Sequence, residues 1–378
     1  MVISVFIGQF VILKTKKMNI LSSAAKQDIL LPNTKITTAT DTECRTPIIS
    51  TDGGEEDQNV FSTKRRKVVI VGAGAVGSTF AYALAQSGLA DEIALIDKNR
   101  DLAQGQVLDL AHGQPFFPTV TIHMGDPPDY ADAQLVVITA GAAQRSGETR
   151  LDLQKKNAAV VRSIVSDVVG QNSSAVMLIV TNPVDVMTYV AIQCAGWNRG
   201  RVFGSGTVLD SARLRYLLSA HCGVDVHNVH GHILGEHGDS EFAAWSMANV
   251  AGMQIDSYRA ACGHCTDWPA ERDRIEQQVR ESAYHIIDYK GTTSFGVGIA
   301  LVRIAGAVLR SQHSVLAVST LLDGEYGIQD VCLSVPCIVS QQGVERIIES
   351  ALPEHEMAAL VASAAALKRA IGKLDVEA

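Results

Sequence analysis

The sequence predicts a doubly wound α/β fold, a mostly parallel sheet covered by helices, followed by a mixed α/β domain. Three observations predict it. Strand-like and helix-like segments alternate from Lys67 to about Phe203, the rhythm that builds a parallel sheet through crossover helices. The first strand runs directly into a glycine turn, Gly72-Ala73-Gly74-Ala75-Val76-Gly77. Beyond Thr207 the rhythm gives way to long helices and neighbouring strand-like runs, which marks a second domain.

Lys67 to Val71 is almost entirely β-branched, as a strand buried on both faces requires. In the turn that follows, Gly72 permits the tight bend, Gly74 lets a backbone approach a pyrophosphate, and Gly77 lets the next helix, about Ala75 to Gln86, pack close to the strand. The free N–H groups at Ala75 and Val76 would face an anion without any cationic side chain. A second strand, Glu92 to Ile96, ends at Asp97, twenty residues after Gly77. There a carboxylate can accept from both ribose hydroxyls of NAD and repel the 2′-phosphate of NADP. Strand, turn, helix and terminal acid together identify a Rossmann dinucleotide site. NAD is the expected cofactor.

The chain continues with a helix from Asp101 to His112 and a short strand near Thr119 to His123. Leu135 to Ala140 reads as another buried strand, and Thr139, Ala140 and Gly141 at its carboxyl end are further expected cofactor contacts. Leu151 to Val169 is a helix, Ala175 to Val180 a strand, Pro183 opens a helix to about Gln193, and Arg201 to Phe203 is a short strand. In the second domain, helices are expected over Val208 to Cys222, Trp268 to Lys290, Gly298 to Leu309 and Glu354 to Lys373. Two short strands flank Gly231, and Leu316–Leu322, Asp330–Val335 and Cys337–Ser340 read as strands of an antiparallel sheet. The expected organisation is an extension over 1–62, a nucleotide domain over 63–206 and a substrate domain over 207–378.

Composition narrows the function. With 378 residues, 47% hydrophobic and 19% charged, the chain has the balance of a soluble, core-forming protein of about two domains. Its 32 basic against 40 acidic residues give a net charge of −8, which argues against nucleic-acid or anionic-membrane partners. Seven scattered cysteines do not form the framework of a small secreted domain. A reducing, cytoplasmic setting fits. The extension begins with an apolar stretch, Met1 to Leu13, closed by Lys14, Lys16 and Lys17. It is too short for a transmembrane helix and a poor secretory signal; organelle targeting stays open, and a flexible arm is the preferred reading.

Candidate chemistry sits in the second domain. Gly235-Glu236-His237-Gly238-Asp239 places a histidine between glycines, leaving its imidazole accessible. Asp210 and Arg213, three apart, share one face of a helix. Spacing alone leaves a solvent-exposed ion pair open as the reading of these two.

From Lys67 onward the chain resembles the L-lactate dehydrogenase branch of the lactate/malate dehydrogenase family, through GAGAVG (72–77), QRSGETR (144–150), TNPVD (181–185), LDSAR (209–213) and GEHGD (235–239). The resemblance implies that His237 donates and accepts the substrate proton, that Asp210 orients its imidazole, and that Arg213 clamps the substrate carboxylate. It implies that Arg150 polarises the carbonyl when a loop closes, that Asn182 bonds the substrate oxygen beside the nicotinamide, and that Thr293 lines the pocket. Gln144 matches the neutral position of lactate enzymes, where malate enzymes carry arginine. The neighbouring Arg145 leaves a malate reading open by one residue of register, and a branched 2-hydroxy acid is a further competitor. Arg215 and His230 resemble the positions that bind fructose 1,6-bisphosphate in some bacterial relatives. A homotetramer is implied as well, with the helix from about 295 returning to the nucleotide domain. A scaffold that binds NAD without turnover is the alternative of a different class; retention of His237, Asp210, Arg213 and Arg150 argues against it. Cys262-Gly263-His264-Cys265 lacks a second ligand pair nearby, so no metal site is expected.

Overall fold

The computed structural model describes residues 65–142, 149–262 and 266–375, which belong to one compact unit. Its first half runs β1 (Lys67–Val71), α1 (Ala75–Ser87), β2 (Glu92–Ile96), α2 (Arg100–His112), β3 (Thr121–Met124), β4 (Leu135–Ile138), α3 (Arg150–Gly170), β5 (Val176–Ile179), α4 (Val184–Ala195) and β6 (Val202–Gly204). The six strands lie parallel in the order β3-β2-β1-β4-β5-β6. Strand order reverses between β1 and β4, and the crevice this leaves at their carboxyl ends is where such sheets bind ligands. Local chemistry fixes the helix starts: Asn99 caps α2, and Thr149 and Asp152 cap each other's backbone at the start of α3. Helix α1 begins on Gly74 with no side-chain cap, which leaves its first N–H groups free for a ligand.

The second half contains α5 (Val208–Cys222), β7 (Val229–His230), β8 (Ile233–Leu234), β9 (Phe242–Ala243), β10 (Asn249–Val250), β11 (Met253–Gln254), α6 (Ile255–Cys262), α7 (Trp268–Lys290), α8 (Phe295–Leu309), β12 (Ser314–Asp323), β13 (Gln329–Ser340), β14 (Gly343–Ile347) and α9 (Glu354–Asp375). The segments β9, β10, β11 and α6 are too short or too polar to have been read from periodicity. The three long antiparallel strands do not form a sheet of their own. Strand β12 bridges β6 at Ser319 and Gly204, and the result is one nine-stranded sheet, β14-β13-β12-β6-β5-β4-β1-β2-β3.

The two runs expected on either side of Pro336 are one strand, β13. Pro336 pairs with Ala317 of β12, while its carbonyl accepts from Ile348 N–H at 2.8 Å on the opposite side. A strand residue presents its N–H and C=O in the same direction, so the missing donor falls away from β12 and that ladder survives.

Two cores hold these layers. The larger joins the first-half strands to α8, β12, β13 and α9, with Val69, Ile138, Leu301, Val318, Leu333 and Leu360 fully buried. The second packs α5 against α7 through Leu214, Leu218, Ile275 and Val279, and Trp245 meets Trp268 edge-on at 5.5 Å. Helix α8 lies on α1 with little room: a Cβ on Gly298 would come within 2.9 Å of Thr79 Cγ2.

Candidate active site

The glycine turn is built as its sequence suggests. Gly72 adopts φ +111°, and an added Cβ would meet the Ala140 nitrogen at 2.7 Å, so no other residue fits. Its neighbour Thr139 donates to the carbonyls of Val71 and Gly72, both at 3.1 Å, tying the end of β4 to the turn. A Cβ on Gly77 would lie 1.8 Å from the Gly72 carbonyl oxygen, whereas one on Gly74 would meet nothing within 4 Å. Gly77 therefore serves packing, and Gly74 keeps space open beside the uncapped helix end. Asp97 accepts from Ala73 N–H at 2.7 Å and Asn99 N–H at 2.8 Å, so its carboxylate is fixed at the rim of the turn. An open cradle, free N–H groups and an acid at its edge fit NAD. Further along, the chain is tied by Asn157, which is 2% exposed, accepts from Ala142 N–H and donates to the Asn182 carbonyl. Asn157 carried no sequence signal of its own.

A chain of short hydrogen bonds joins α5 to the 235–239 loop. Arg213 Nη1 donates to Asp210 Oδ1 at 2.5 Å, and Asp210 Oδ2 lies 2.6 Å from His237 Nδ1. Asp210 is 1% exposed, so this is no surface ion pair. Burial pulls the His237 imidazole toward neutrality, but the adjoining Asp210 carboxylate outweighs it and lifts the group to about 9. Burial pushes Asp210 up, and the His237 and Arg213 charges more than reverse it, holding Asp210 below the usual carboxylate range.

The loop is anchored from three sides. Its Gly235 adopts φ +92°, forms an antiparallel bridge with Ser334 of β13, and leaves no room for a Cβ beside Ser363 Oγ, 2.8 Å away. Ser363 on α9 accepts from Glu236 N–H at 2.7 Å. From α4, the buried Asp185 accepts from His237 N–H at 2.7 Å and from Ser319 Oγ at 2.6 Å. Burial pushes Asp185 up to about 6 despite these two donors. Gly235 thus matters for anchoring the loop as well as for spacing about the imidazole. Ser319 and Ser363 come from distant segments and escaped sequence reasoning, and Asp185, although it ends the TNPVD run, was given no role there.

A cleft of about 420 Å³ opens onto these groups, lined by Asn182, Asp210, Arg213, His237, Glu241 and Tyr284 among others. Thr293 lies in the connection between α7 and α8, outside that lining. The backbone of Arg150 opens α3, and Gln144 and Arg145 fall outside the described residues. Arg215 donates to the carbonyls of Val229 at 2.8 Å and Val226 at 3.4 Å, and His230 lies exposed on β7. Gly263 to Cys265 also lie outside the described residues. Elsewhere, Glu92, His123 and Asp129 could gather round a cation, but Lys67 Nζ already lies 3.3 Å from Glu92 and 2.8 Å from Asp129.

Family models cover nearly all of this architecture. Residues 66–204 match the lactate/malate dehydrogenase NAD-binding domain and residues 207–377 the lactate/malate dehydrogenase alpha/beta C-terminal domain. The chain belongs to the lactate/malate dehydrogenase family. An L-lactate dehydrogenase of Treponema denticola is 62% identical over 313 residues, 82% of this chain and 99% of the relative. One from Acetivibrio thermocellus is 49% identical over 311 residues, 82% of this chain and 98% of the relative. Among solved structures, a lactate dehydrogenase from a Medee basin deep-sea metagenome library is 40% identical with a TM-score of 0.80, covering 83% of this chain and 100% of that one. The minor L-lactate dehydrogenase of Enterococcus mundtii, in a ligands-bound form, is also 40% identical with a TM-score of 0.80, covering 82% and 99%. As a member of this family, the chain is an NAD-dependent oxidoreductase with a Rossmann-type fold.

Proposed function

We propose that the chain is an L-lactate dehydrogenase, catalysing pyruvate + NADH + H⁺ ⇌ L-lactate + NAD⁺. The observation that carries the reading is the buried Arg213–Asp210–His237 chain, at 2.5 and 2.6 Å, opening onto a cleft of about 420 Å³. Gly72, Gly74, Ala75, Val76, Gly77, Asp97 and the 139–141 segment would hold NAD, which supplies the hydride when bound. His237 holds the proton that goes to the carbonyl oxygen, and with Nδ1 committed to Asp210 the proton must leave from Nε2. Asp210 keeps the imidazole in that orientation and stabilises its cation. Arg213 uses the remainder of its guanidinium on the substrate carboxylate, for which the planar fork is suited. Asn182 lines the same cleft and would bond the substrate oxygen.

Arg150 and Gln144 complete the reading from the sequence, Arg150 as the group that polarises the carbonyl and Gln144 as the neutral residue that disfavours a second carboxylate. Large apolar side chains left exposed, Phe116 at 90%, Tyr289 at 87% and Phe295 at 72%, support assembly with further copies of the chain, a homotetramer in the family's manner. Arg215 and His230 are retained as the basic pair for a sugar-bisphosphate activator; burial, and then the charges of both of these neighbours, lower the nearby His232 imidazole and favour its neutral form. No helix among the described residues is long and apolar enough to cross a membrane; the scattered, odd-numbered cysteines support a reducing setting, and cytoplasm is our reading of the compartment. Oxidation of NADH with pyruvate, oxaloacetate and 2-ketoisocaproate side by side, with and without fructose 1,6-bisphosphate, tests the proposal. Preference for pyruvate is expected. Preference for oxaloacetate would put Arg145 at the discriminating position, and NADH binding without turnover would leave the scaffold reading.

A further inference from the structure

Strands β4 and β5 run side by side and then part. Their ladder ends where Val180 N–H donates to the Ile138 carbonyl at 2.9 Å. Beyond that point 139–142 passes the glycine turn, while 181–183 leads into α4. Two side chains continue the pairing after the backbones separate. Thr181 Oγ1 donates to the Ala140 carbonyl at 2.7 Å. One step further out, Asn157 of α3 stands between the two segments: its Oδ1 accepts from Ala142 N–H at 2.7 Å, and its Nδ2 donates to the Asn182 carbonyl at 2.8 Å.

A side-chain amide carries a carbonyl acceptor and an N–H donor, as a peptide unit does. Helix α3 thereby lends a peptide group to a gap that the main chain has left open. The residue is 2% exposed, and its place is kept clear by Gly141, where a Cβ would lie 2.8 Å from Thr181 Cγ2 and 3.3 Å from Asn157 Oδ1. Ala142 and Asn182 are themselves exposed residues. Water could serve either backbone group, but only a fixed side chain holds the two at a set separation.

The two segments joined in this way have different tasks in the proposed function. Residues 139–141 would hold NAD, whereas Asn182 lines the cleft with His237 and Arg213 and would bond the substrate oxygen. Leu153 and Gln154, about one turn before Asn157 on α3, line the same cleft. Resting on the proposed function, we infer that Asn157 is a positioning residue for pyruvate reduction: it sets the backbone of Asn182, and with it the side chain that meets the substrate, against the cofactor-binding segment that ends at Ala142. Asn157 acts through Asn182 and takes no part in proton or hydride transfer.

The test compares the full wild-type chain with Asn157→Asp and Asn157→Ser, measuring kcat/KM for pyruvate and the dissociation constant of NADH between about pH 5 and about pH 8. Asn157→Asp keeps the size and the acceptor, but its ionised carboxylate has no proton for the Asn182 carbonyl. Near pH 8 it should lower kcat/KM roughly tenfold, with NADH affinity close to that of the wild type because the tie to Ala142 survives. Burial beside a carbonyl raises the new carboxyl group, and its proton restores the missing donor, so the deficit relative to wild type should shrink toward pH 5. Asn157→Ser is too short to reach both partners and adds no charge; its deficit should be about tenfold or more at every pH. A deficit of Asn157→Asp that does not change with pH would overturn the inference, because loss of packing alone has no reason to be reversed by a proton. Should Asn157→Asp fail to bind NADH, Asn157→Ser decides: NADH binding with the expected deficit upholds the inference, NADH binding with wild-type kcat/KM overturns it, and loss of NADH binding in both variants overturns it by making Asn157 a requirement of folding. Absence of pyruvate turnover by the wild type would overturn the proposed function and this inference with it; wild-type turnover with a pH-independent deficit in Asn157→Asp would overturn the inference alone.

Discussion

His237 is held by two carboxylates that act on different parts of it: Asp210 on the ring and Asp185 on the backbone. The difference predicts different failures. Asp210→Asn removes the charge that outweighs burial, so the alkaline limb of pyruvate reduction should move from about pH 9 to lower pH, and kcat at neutral pH should fall by ~10²-fold or more; an unmoved limb in the pH–rate profile would reassign the proton donor. Asp185→Ala leaves two buried donors, Ser319 Oγ and the His237 amide, without an acceptor and should cost about 2–4 kcal/mol in urea unfolding. Asp185 also makes stability depend on pH. Its folded value of about 6 lies above the usual carboxylate value, so its contribution is full below about pH 4 and is lost as pH rises to about 6. Asp185→Asn should flatten that window. His237, Asp210 and Arg213 were legible because each falls in a short run of distinctive residues. The role of Asp185, although it lies in the TNPVD run, and the places of Asn157, Ser363 and Glu241 were not, because a carboxylate, amide or hydroxyl becomes informative only once the fold shows what it faces.

At the scale of elements, the turn between β1 and α1 separates two uses of glycine. Gly77→Ala would drive a Cβ to 1.8 Å from the Gly72 carbonyl and should lower the melting temperature and weaken NADH binding together. Gly74→Ala meets nothing within 4 Å, so stability should stay within about 1 kcal/mol of wild type while the dissociation constant for NADH rises. Equal losses of stability in the two variants would refute this division. The parallel strands were legible because a strand buried on both faces reads as an unbroken apolar run, as Val68 to Val71 and Leu135 to Ile138 do. Strand β13 was split at Pro336 because a sequence does not reveal on which side a proline's missing donor will fall. The pairs β8–β9 and β10–β11 span only two residues per strand, too few for an alternation to register.

Across the whole molecule, β12, β13 and β14 extend the nucleotide-binding sheet, and one core runs from Val69 to Leu360. Heat should therefore unfold residues 65–375 in a single cooperative transition, and two resolved calorimetric peaks would contradict a shared core. Family models begin at residue 66, and deletion of residues 1–62 should leave kcat/KM for pyruvate within about twofold of the full chain; a larger loss would give the extension a role in the active assembly. The bridge between Ser319 and Gly204 also bears on how the protein is made. Strand β6 leaves the ribosome more than a hundred residues before the strand that covers its flank. At ordinary rates of elongation, roughly 5–20 residues per second, the nascent sheet carries an open apolar edge for about 6–20 seconds. During that interval the half-made chain is the form most exposed to aggregation, so extra chaperone during synthesis should raise the soluble yield more than a stabilising substitution in the finished sheet does.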